Sequence, residues 1–141
     1  MKLKINLLLI LFFFEMTHML SAAEPLSFYA LKIKGNHSGE IHEIVIVEKA
    51  KKQWEIKRIL NGKESTSKKL KEVEFLSATL RIRNLLKTKD QKRAPSSCRE
   101  EYIVLGKENK TQEKKQGCLE NNERFVMLYA ELLALLYKVE R

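Results

Sequence analysis

Two cysteines, Cys98 and Cys118, constrain the fold of this chain more than any other feature, because they flank a predicted β-hairpin. Residues 99–106 and 111–117 have the composition of two strands, and the residues between them form a polar turn. An antiparallel pair centred on Glu108 sets Cys98 directly opposite Cys118, within the roughly 7 Å between α-carbons that a disulfide requires. The sequence therefore predicts a disulfide; two buried, unpaired thiols are the alternative.

Residues 1–23 have the pattern of a cleavable secretory signal peptide. Two lysines precede an apolar run at 5–14, in which Asn6 is the one polar residue, and small side chains at 21–23 form a cleavage site. We expect cleavage after Ala23, which leaves residues 24–141 as a single small domain. A membrane anchor is the alternative, but the run is shorter than the about 18 residues that a spanning helix needs. The mature chain is thus expected to have no transmembrane segment.

An exported chain meets an oxidising compartment, so we expect this protein outside the cytoplasm, periplasmic or secreted. Cleavage removes two lysines and one glutamate, which lowers the net charge from +9 to +8. The positive excess lies in residues 51–93, with 14 basic and five acidic side chains. Its candidate binding face consists of Lys57, Lys68, Lys69, Lys71, Arg81 and Arg83. Such a face suits an acidic protein or an anionic envelope component, whereas the alternative is a solvated surface that maintains solubility.

Hydrophobic periodicity predicts three strands and a helix before the cysteine hairpin. Alternation favours strands at residues 28–34 and 54–60, and the β-branched run at 41–47 favours a strand buried on both faces. A helix is predicted over residues 68–86, with Ser67 as its N-cap. Its expected inward stripe is Leu70, Val73, Leu76 and Leu80, flanked by Phe75, Ile82 and Leu86.

A second helix closes the chain, with Asn121 or Asn122 as its N-cap and Glu123 in its first turn. Its expected inner stripe is Phe125, Leu128, Tyr129, Leu132, Leu136 and Val139, widened by Leu133 and Leu135. The basic residues 88–97, which include Pro95, are predicted to form a flexible connector before the hairpin. This order of elements predicts the α+β class: an antiparallel sheet of about five strands with two helices packed on one face.

Two short matches suggest an internal repeat. Gly62-Lys63-Glu64 and Gly106-Lys107-Glu108 each follow a strand and precede a helical pattern. The order of hairpin, helix, hairpin and helix is similar to that of small protein inhibitors of secreted proteases, although this similarity of arrangement involves no shared motif residues.

The inventory of side chains argues against catalysis. The single aspartate, Asp90, falls in the predicted connector, so no structured aspartate can orient a histidine. After cleavage the histidines are His37 and His42, beside a glycine turn. A ribonuclease-like pair, or a metal site completed by Glu40 or Glu43, is the alternative to two surface histidines. We expect no enzyme activity, no cofactor and no metal.

The aromatic residues of the basic segment, Trp54 and Phe75, fall on apolar stripes rather than among the charges, so no specific nucleic-acid partner is predicted. Asn36 and Asn109 match the glycosylation sequon in predicted turns. The leading expectation is a small exported, non-enzymatic binding or inhibitor-like module. The alternative is an envelope-associated structural protein whose basic face rests on anionic lipid or polymer.

Overall fold

The computed structural model describes residues 25–89 and 98–139. Within these ranges the chain forms a six-stranded antiparallel sheet and two α-helices. This confirms the predicted α+β class and gives six strands instead of about five. The predicted signal peptide, and residues 90–97 of the predicted connector with Asp90, lie outside the described residues.

Six strands and two helices follow one another along the chain. The strands are β1 (Ser27–Gly35), β2 (Ile41–Ala50), β3 (Gln53–Leu60), β4 (Lys63–Leu70), β5 (Glu100–Glu108) and β6 (Thr111–Cys118). The helices are α1 (Glu72–Lys87), which joins β4 to β5, and α2 (Glu123–Tyr137), which follows β6 after a 3-10 turn at Leu119–Asn121. The strand order across the sheet is β4-β3-β2-β1-β5-β6, so β1 and β2 lie at its centre.

Both helices pack against one side of the sheet and enclose the main core. From the strands this core takes Tyr29, Leu31, Ile44, Ile46, Ile56, Leu70, Tyr102 and Val104. The opposite side, which we call the open face, has a smaller apolar cluster around Ala30, Val45 and Val47. The β-branched run of β2 is therefore buried on both faces, as predicted, because β2 is an interior strand.

Strand β4 is an element that the sequence analysis missed. It follows a two-residue turn, Asn61-Gly62, whose φ angles of 48° and 80° are those of a type I′ hairpin turn. Apart from Leu70, its side chains are polar or charged, as is common in an edge strand. An edge strand of this composition has no alternation of apolar residues, so hydrophobic periodicity did not predict it.

The orientation and the boundary of α1 both differ from the prediction. The stripe expected to face inward is exposed at Val73, Leu76 and Leu80. The helix begins at Glu72 instead of residue 68, and its N-cap is Lys71 instead of Ser67. The backbone N–H of Lys71 donates to Oε2 of Glu74 at 2.9 Å, which is one half of a capping box. Ser67 lies inside β4, because pairing with β3 extends the strand to Leu70.

The cysteines pair as predicted, but the register of their hairpin is different. Cys98 and Cys118 form a disulfide with α-carbons 5.2 Å apart. The tight turn between β5 and β6 is centred on Asn109 and Lys110, and it sets Glu101 opposite Cys118. Cys98 precedes the first residue of β5, so the disulfide closes the base of the hairpin instead of joining directly opposed strand residues.

Helix α2 agrees with most of its predicted pattern. Asn122 is the N-cap, and its Oδ1 accepts a hydrogen bond from the backbone N–H of Phe125 at 3.0 Å. The buried residues are Phe125, Leu128, Tyr129, Leu132 and Leu136, as expected. Val139 was wrongly placed in this stripe: it lies beyond the last helical residue and is 81% exposed.

The two halves of the proposed repeat have the same order of elements, but their glycines occupy different positions. Two hairpins, β3–β4 and β5–β6, each precede a helix. Gly62 lies in a hairpin turn, whereas Gly106 lies inside β5. A Cβ at Gly106 would lie 3.0 Å from Cδ1 of Leu86, so this glycine allows α1 to approach the sheet. The two Gly-Lys-Glu matches therefore occupy positions that are not equivalent.

Candidate functional site

Helix α1 is apolar on both of its sides. Its inward side packs Phe75, Ala78, Thr79, Ile82 and Leu85. Its outward side carries Val73, Leu76 and Leu80, which are 71%, 55% and 55% exposed. These three residues recur at the i, i+3 and i+7 spacing of one helical stripe, so they form a continuous apolar ridge in contact with water.

Helix α2 adds a second apolar strip beside this ridge. Met127 is 62% exposed, and Ala130 and Ala134 also face solvent. Because both helices pack on the same side of the sheet, the ridge and the strip belong to one layer. We call this set of side chains the helix-layer surface: Val73, Leu76, Leu80, Met127, Ala130 and Ala134.

A groove of about 250 Å³ runs between the two helices at this surface. It is lined by Arg81, Asn84, Leu85, Arg124, Met127 and Leu128. Arg81 also forms an ion pair with Glu131 of α2, which ties the two helices together. The groove is thus apolar at its base and has two arginines at its rim.

The side chain of Arg83 projects from another side of α1 and contacts polar side chains of the sheet. Its Nε and Nη2 donate to the hydroxyl of Tyr29 at 3.2 and 3.1 Å, and its guanidinium pairs with Glu108. The Tyr29 hydroxyl in turn donates to Glu108, beside a pocket of about 140 Å³. Since each polar group is bonded to the others, we interpret this cluster as an anchor of α1 to the sheet.

The predicted basic face does not form a single surface. Lys57 of β3 and Lys69 of β4 project to the open face, since each alternates with residues of the main core. Lys57 also pairs with two carboxylates, Glu55 at 3.8 Å and Glu64 at 3.1 Å. Its charge is therefore partly compensated within the molecule.

The other predicted bases lie on the helix side of the molecule. The Nζ of Lys68 donates to the backbone carbonyls of Leu135 and Lys138 at 3.2 and 3.1 Å, where α2 ends. A cation at a helix C-terminus is favoured by the helix dipole. Lys71 is the N-cap of α1, and both arginines are in the ion pairs described above. Of the six predicted bases, two share the open face.

The two histidines lie apart from the helix-layer surface, at the turn between β1 and β2. Nε2 of His42 lies 3.4 Å from Oε2 of Glu40, and His37 is exposed. Within residues 25–89 and 98–139, no three His, Cys, Asp or Glu side chains come together in a way that could hold a metal ion.

A polar cluster at the C-terminal end of α2 was missed by the sequence analysis. Nη1 of Arg58 donates to the hydroxyl of Tyr137 at 3.0 Å. Hydrogen bonds with Arg58 and Thr66 lower the pKa of Tyr137, whereas burial raises the pKa of Tyr129. Arg58 and Tyr137 are 79 residues apart in sequence, so no local pattern predicts their contact.

The two sequon asparagines have different surroundings. Nδ2 of Asn36, the atom that a glycan would use, donates to the backbone carbonyl of Cys98 at 2.7 Å. Asn109 lies in the tight turn after β5, with a φ of 50° and an exposed side chain. A glycan on Asn36 would replace a hydrogen bond that ties the first turn to the disulfide, whereas one on Asn109 would not.

None of the helices in the described residues has both the length and the apolar content needed to cross a membrane. No protein-family model, curated protein or solved structure matches the chain.

Proposed function

We propose that this chain is an exported, non-enzymatic binding module that docks a protein partner on its helix-layer surface. The observation that carries the proposal is the exposed ridge of Val73, Leu76 and Leu80 on a helix whose other side is already buried. A surface helix normally buries one apolar stripe and turns polar side chains to water, so a second, exposed apolar stripe is unusual. A partner that covers this ridge would remove its apolar side chains from water.

The energetics favour an apolar partner at this surface. Complete burial of a valine or leucine side chain contributes roughly 1.5 to 3 kcal/mol, and less where the side chain is already partly covered. Large contiguous apolar patches are uncommon on monomeric proteins and often mark interaction sites. The groove beside Met127 offers a recess into which a side chain of the partner can insert.

Export supports the same proposal. A signal sequence at residues 1–23 would deliver the chain to a compartment where Cys98 and Cys118 stay oxidised. The disulfide then fixes the strand pair that leads directly into α2. We therefore propose a periplasmic or secreted location, where a rigid base presents the helix layer.

A second candidate function uses the open face. This face carries a larger number of basic than acidic side chains, among them Lys32, Lys34, Lys49, Lys57, Lys69, Lys107 and Lys114. An envelope-associated structural protein could rest this face on anionic lipid or polymer. Its attraction would weaken as salt is raised to about 0.5 M, because screening shortens the reach of each charge.

A comparison of two double variants tests the two proposals. The oxidised exported chain, the Leu76→Glu, Leu80→Glu variant and the Lys57→Glu, Lys69→Glu variant are each used as bait for the envelope fraction of the source cells. Docking on the helix layer predicts a stoichiometric complex that survives about 0.5 M salt. Of the two variants, only the leucine variant should lose this complex. Loss with the lysine variant, or dissociation by salt, would support the open face instead. If none of the baits captures a protein from the envelope fraction, the proposed function is wrong.

A further inference from the structure

We infer that the partner on the helix-layer surface is a second copy of this chain, with α1 packed antiparallel against α1 of that copy. This inference rests on the proposed function, because it names the occupant of the same surface. A two-fold axis makes such a contact self-complementary, so each residue pair across it occurs twice.

The charges of α1 fit an antiparallel copy. Glu72 and Arg83 are 11 residues apart, which is close to three helical turns, so both lie on the same flank of the apolar ridge. A two-fold axis between Ser77 and Ala78 sets Glu72 opposite Arg83 of the second copy. The same axis brings Leu76 within one residue, about 1.5 Å along the helix, of Leu80 of the second copy, so the apolar and ionic contacts fit nearly the same register.

Both members of this ionic contact are available. Glu72 is exposed, and it forms no ion pair with another described residue. The side chain of Arg83 is 44% exposed although it also pairs with Glu108. Its hydrogen bonds to Tyr29 hold the guanidinium in place, so little side-chain freedom remains to be lost on association.

Helix α2 extends the contact. Because α2 lies beside α1 in the same layer, the two-fold axis also brings α2 toward α2 of the second copy. Ala130 and Ala134 are short, exposed side chains on that side, and they allow the two helix layers to approach closely. Met127 is flexible and can fill the groove between the helices of the second copy.

The size of the layer is sufficient for a dimer. A helix of the length of α1 spans about 24 Å, and two adjacent helices are about 20 Å wide, so the flat footprint is roughly 480 Å² per copy. Complete coverage of the layer on both copies therefore buries about 1,000 Å² in total, the lower limit of a specific interface.

The distribution of charge also favours this face for self-association. Ion pairs of Arg81 with Glu131 and of Arg83 with Glu108 compensate two of the bases near the ridge. The lysine-rich open face lies on the other side of the sheet, which points away from the second copy. At physiological salt the repulsion between these distant lysines is screened beyond about 8 Å.

Sedimentation equilibrium of the oxidised exported chain, from micromolar to submillimolar concentration, tests the inference. We expect twice the chain mass at high concentration, and the mass of a single chain for the Leu76→Glu, Leu80→Glu variant. Glu72→Arg should weaken the dimer about tenfold, because it reverses two exposed ionic contacts at once. Glu100→Arg makes the same charge change at the far start of β5 and should leave the dimer unchanged. Circular dichroism verifies that each variant is folded.

A single-chain mass at every concentration would overturn the inference, as would a dimer that tolerates the leucine variant. The identity of the captured chain separates this failure from that of the proposed function. When tagged protein retains an untagged copy of itself, the inference is supported. Retention of a different protein by a monomeric chain overturns the inference and leaves the proposed function in place. No self-association and no retention would contradict both.

Discussion

At the scale of single residues, two adjacent asparagines precede α2, and one of them caps the helix. Asn122 is buried, and its Oδ1 accepts the backbone N–H of Phe125. Asn122→Ala should therefore lower the free energy of unfolding by about 1 kcal/mol, the usual cost of losing an N-cap. Asn121→Ala is the matched control, and urea unfolding measures both. An equal loss for both variants would contradict the assignment of the cap.

Glu55 makes the stability of the open face depend on pH. Burial raises the pKa of Glu55, but hydrogen bonds with Lys49 and Ser67 and the charges of Lys49 and Lys57 outweigh it, so the pKa lies below its ordinary value of 4.5. The folded state thus favours the carboxylate. Its contribution to stability is complete above pH 4.5 and is lost as the pH falls through the lowered pKa.

We predict that Glu55→Gln removes part of this acid sensitivity. Between about pH 5 and pH 3 the wild-type protein should lose stability more steeply than the variant, because only the wild-type protein must protonate a paired carboxylate. Thermal unfolding at several pH values measures the difference. Glu100→Gln, which removes an exposed carboxylate at the start of β5, is the control. Parallel curves for wild type and Glu55→Gln would contradict the prediction.

At the scale of secondary-structure elements, α2 supplies the clearest test of core packing. Leu132 is buried between the helix and the sheet, so Leu132→Ala should lower the free energy of unfolding by about 2 to 5 kcal/mol. Val139→Ala should change it by less than about 0.5 kcal/mol, because that side chain is exposed beyond the end of the helix. Chemical denaturation of both variants measures the contrast, and similar losses would show that the helix is packed differently.

Helix α1 shows where hydrophobic periodicity stops being informative. Its sequence holds one stripe with Val73, Leu76 and Leu80 and another with Phe75 and Ile82. The prediction placed the first stripe inward, whereas the structure buries the second. Two apolar stripes on one helix leave its rotation undetermined by pattern alone. Contacts with the sheet decide it.

At the scale of the whole molecule, export and the disulfide should be visible together in the intact mass. We predict that exported protein begins at Glu24 and is two hydrogen atoms lighter than its reduced form, because Cys98 and Cys118 are bonded. Closing a loop of this length should stabilise the fold by about 3 kcal/mol. Mass spectrometry with and without reductant tests the first residue and the disulfide. A retained Met1 would contradict the export proposal, and an unchanged mass on reduction would contradict the disulfide.

The sequence by itself determined the α+β class, the pairing of the two cysteines and the inward stripe of α2. These features depend on local composition, on periodicity along one element, or on there being a single possible pair. Strand β4, the rotation of α1 and the scattering of the predicted basic face were decided only by the tertiary structure. Each depends on contacts between residues far apart in the chain: β4 exists because β3 offers it hydrogen bonds, and Lys68 points to the end of α2 because the sheet brings them together. The helix-layer surface also depends on the tertiary structure. Val73, Leu76 and Leu80 of α1 are exposed because the core buries the other apolar stripe of that helix.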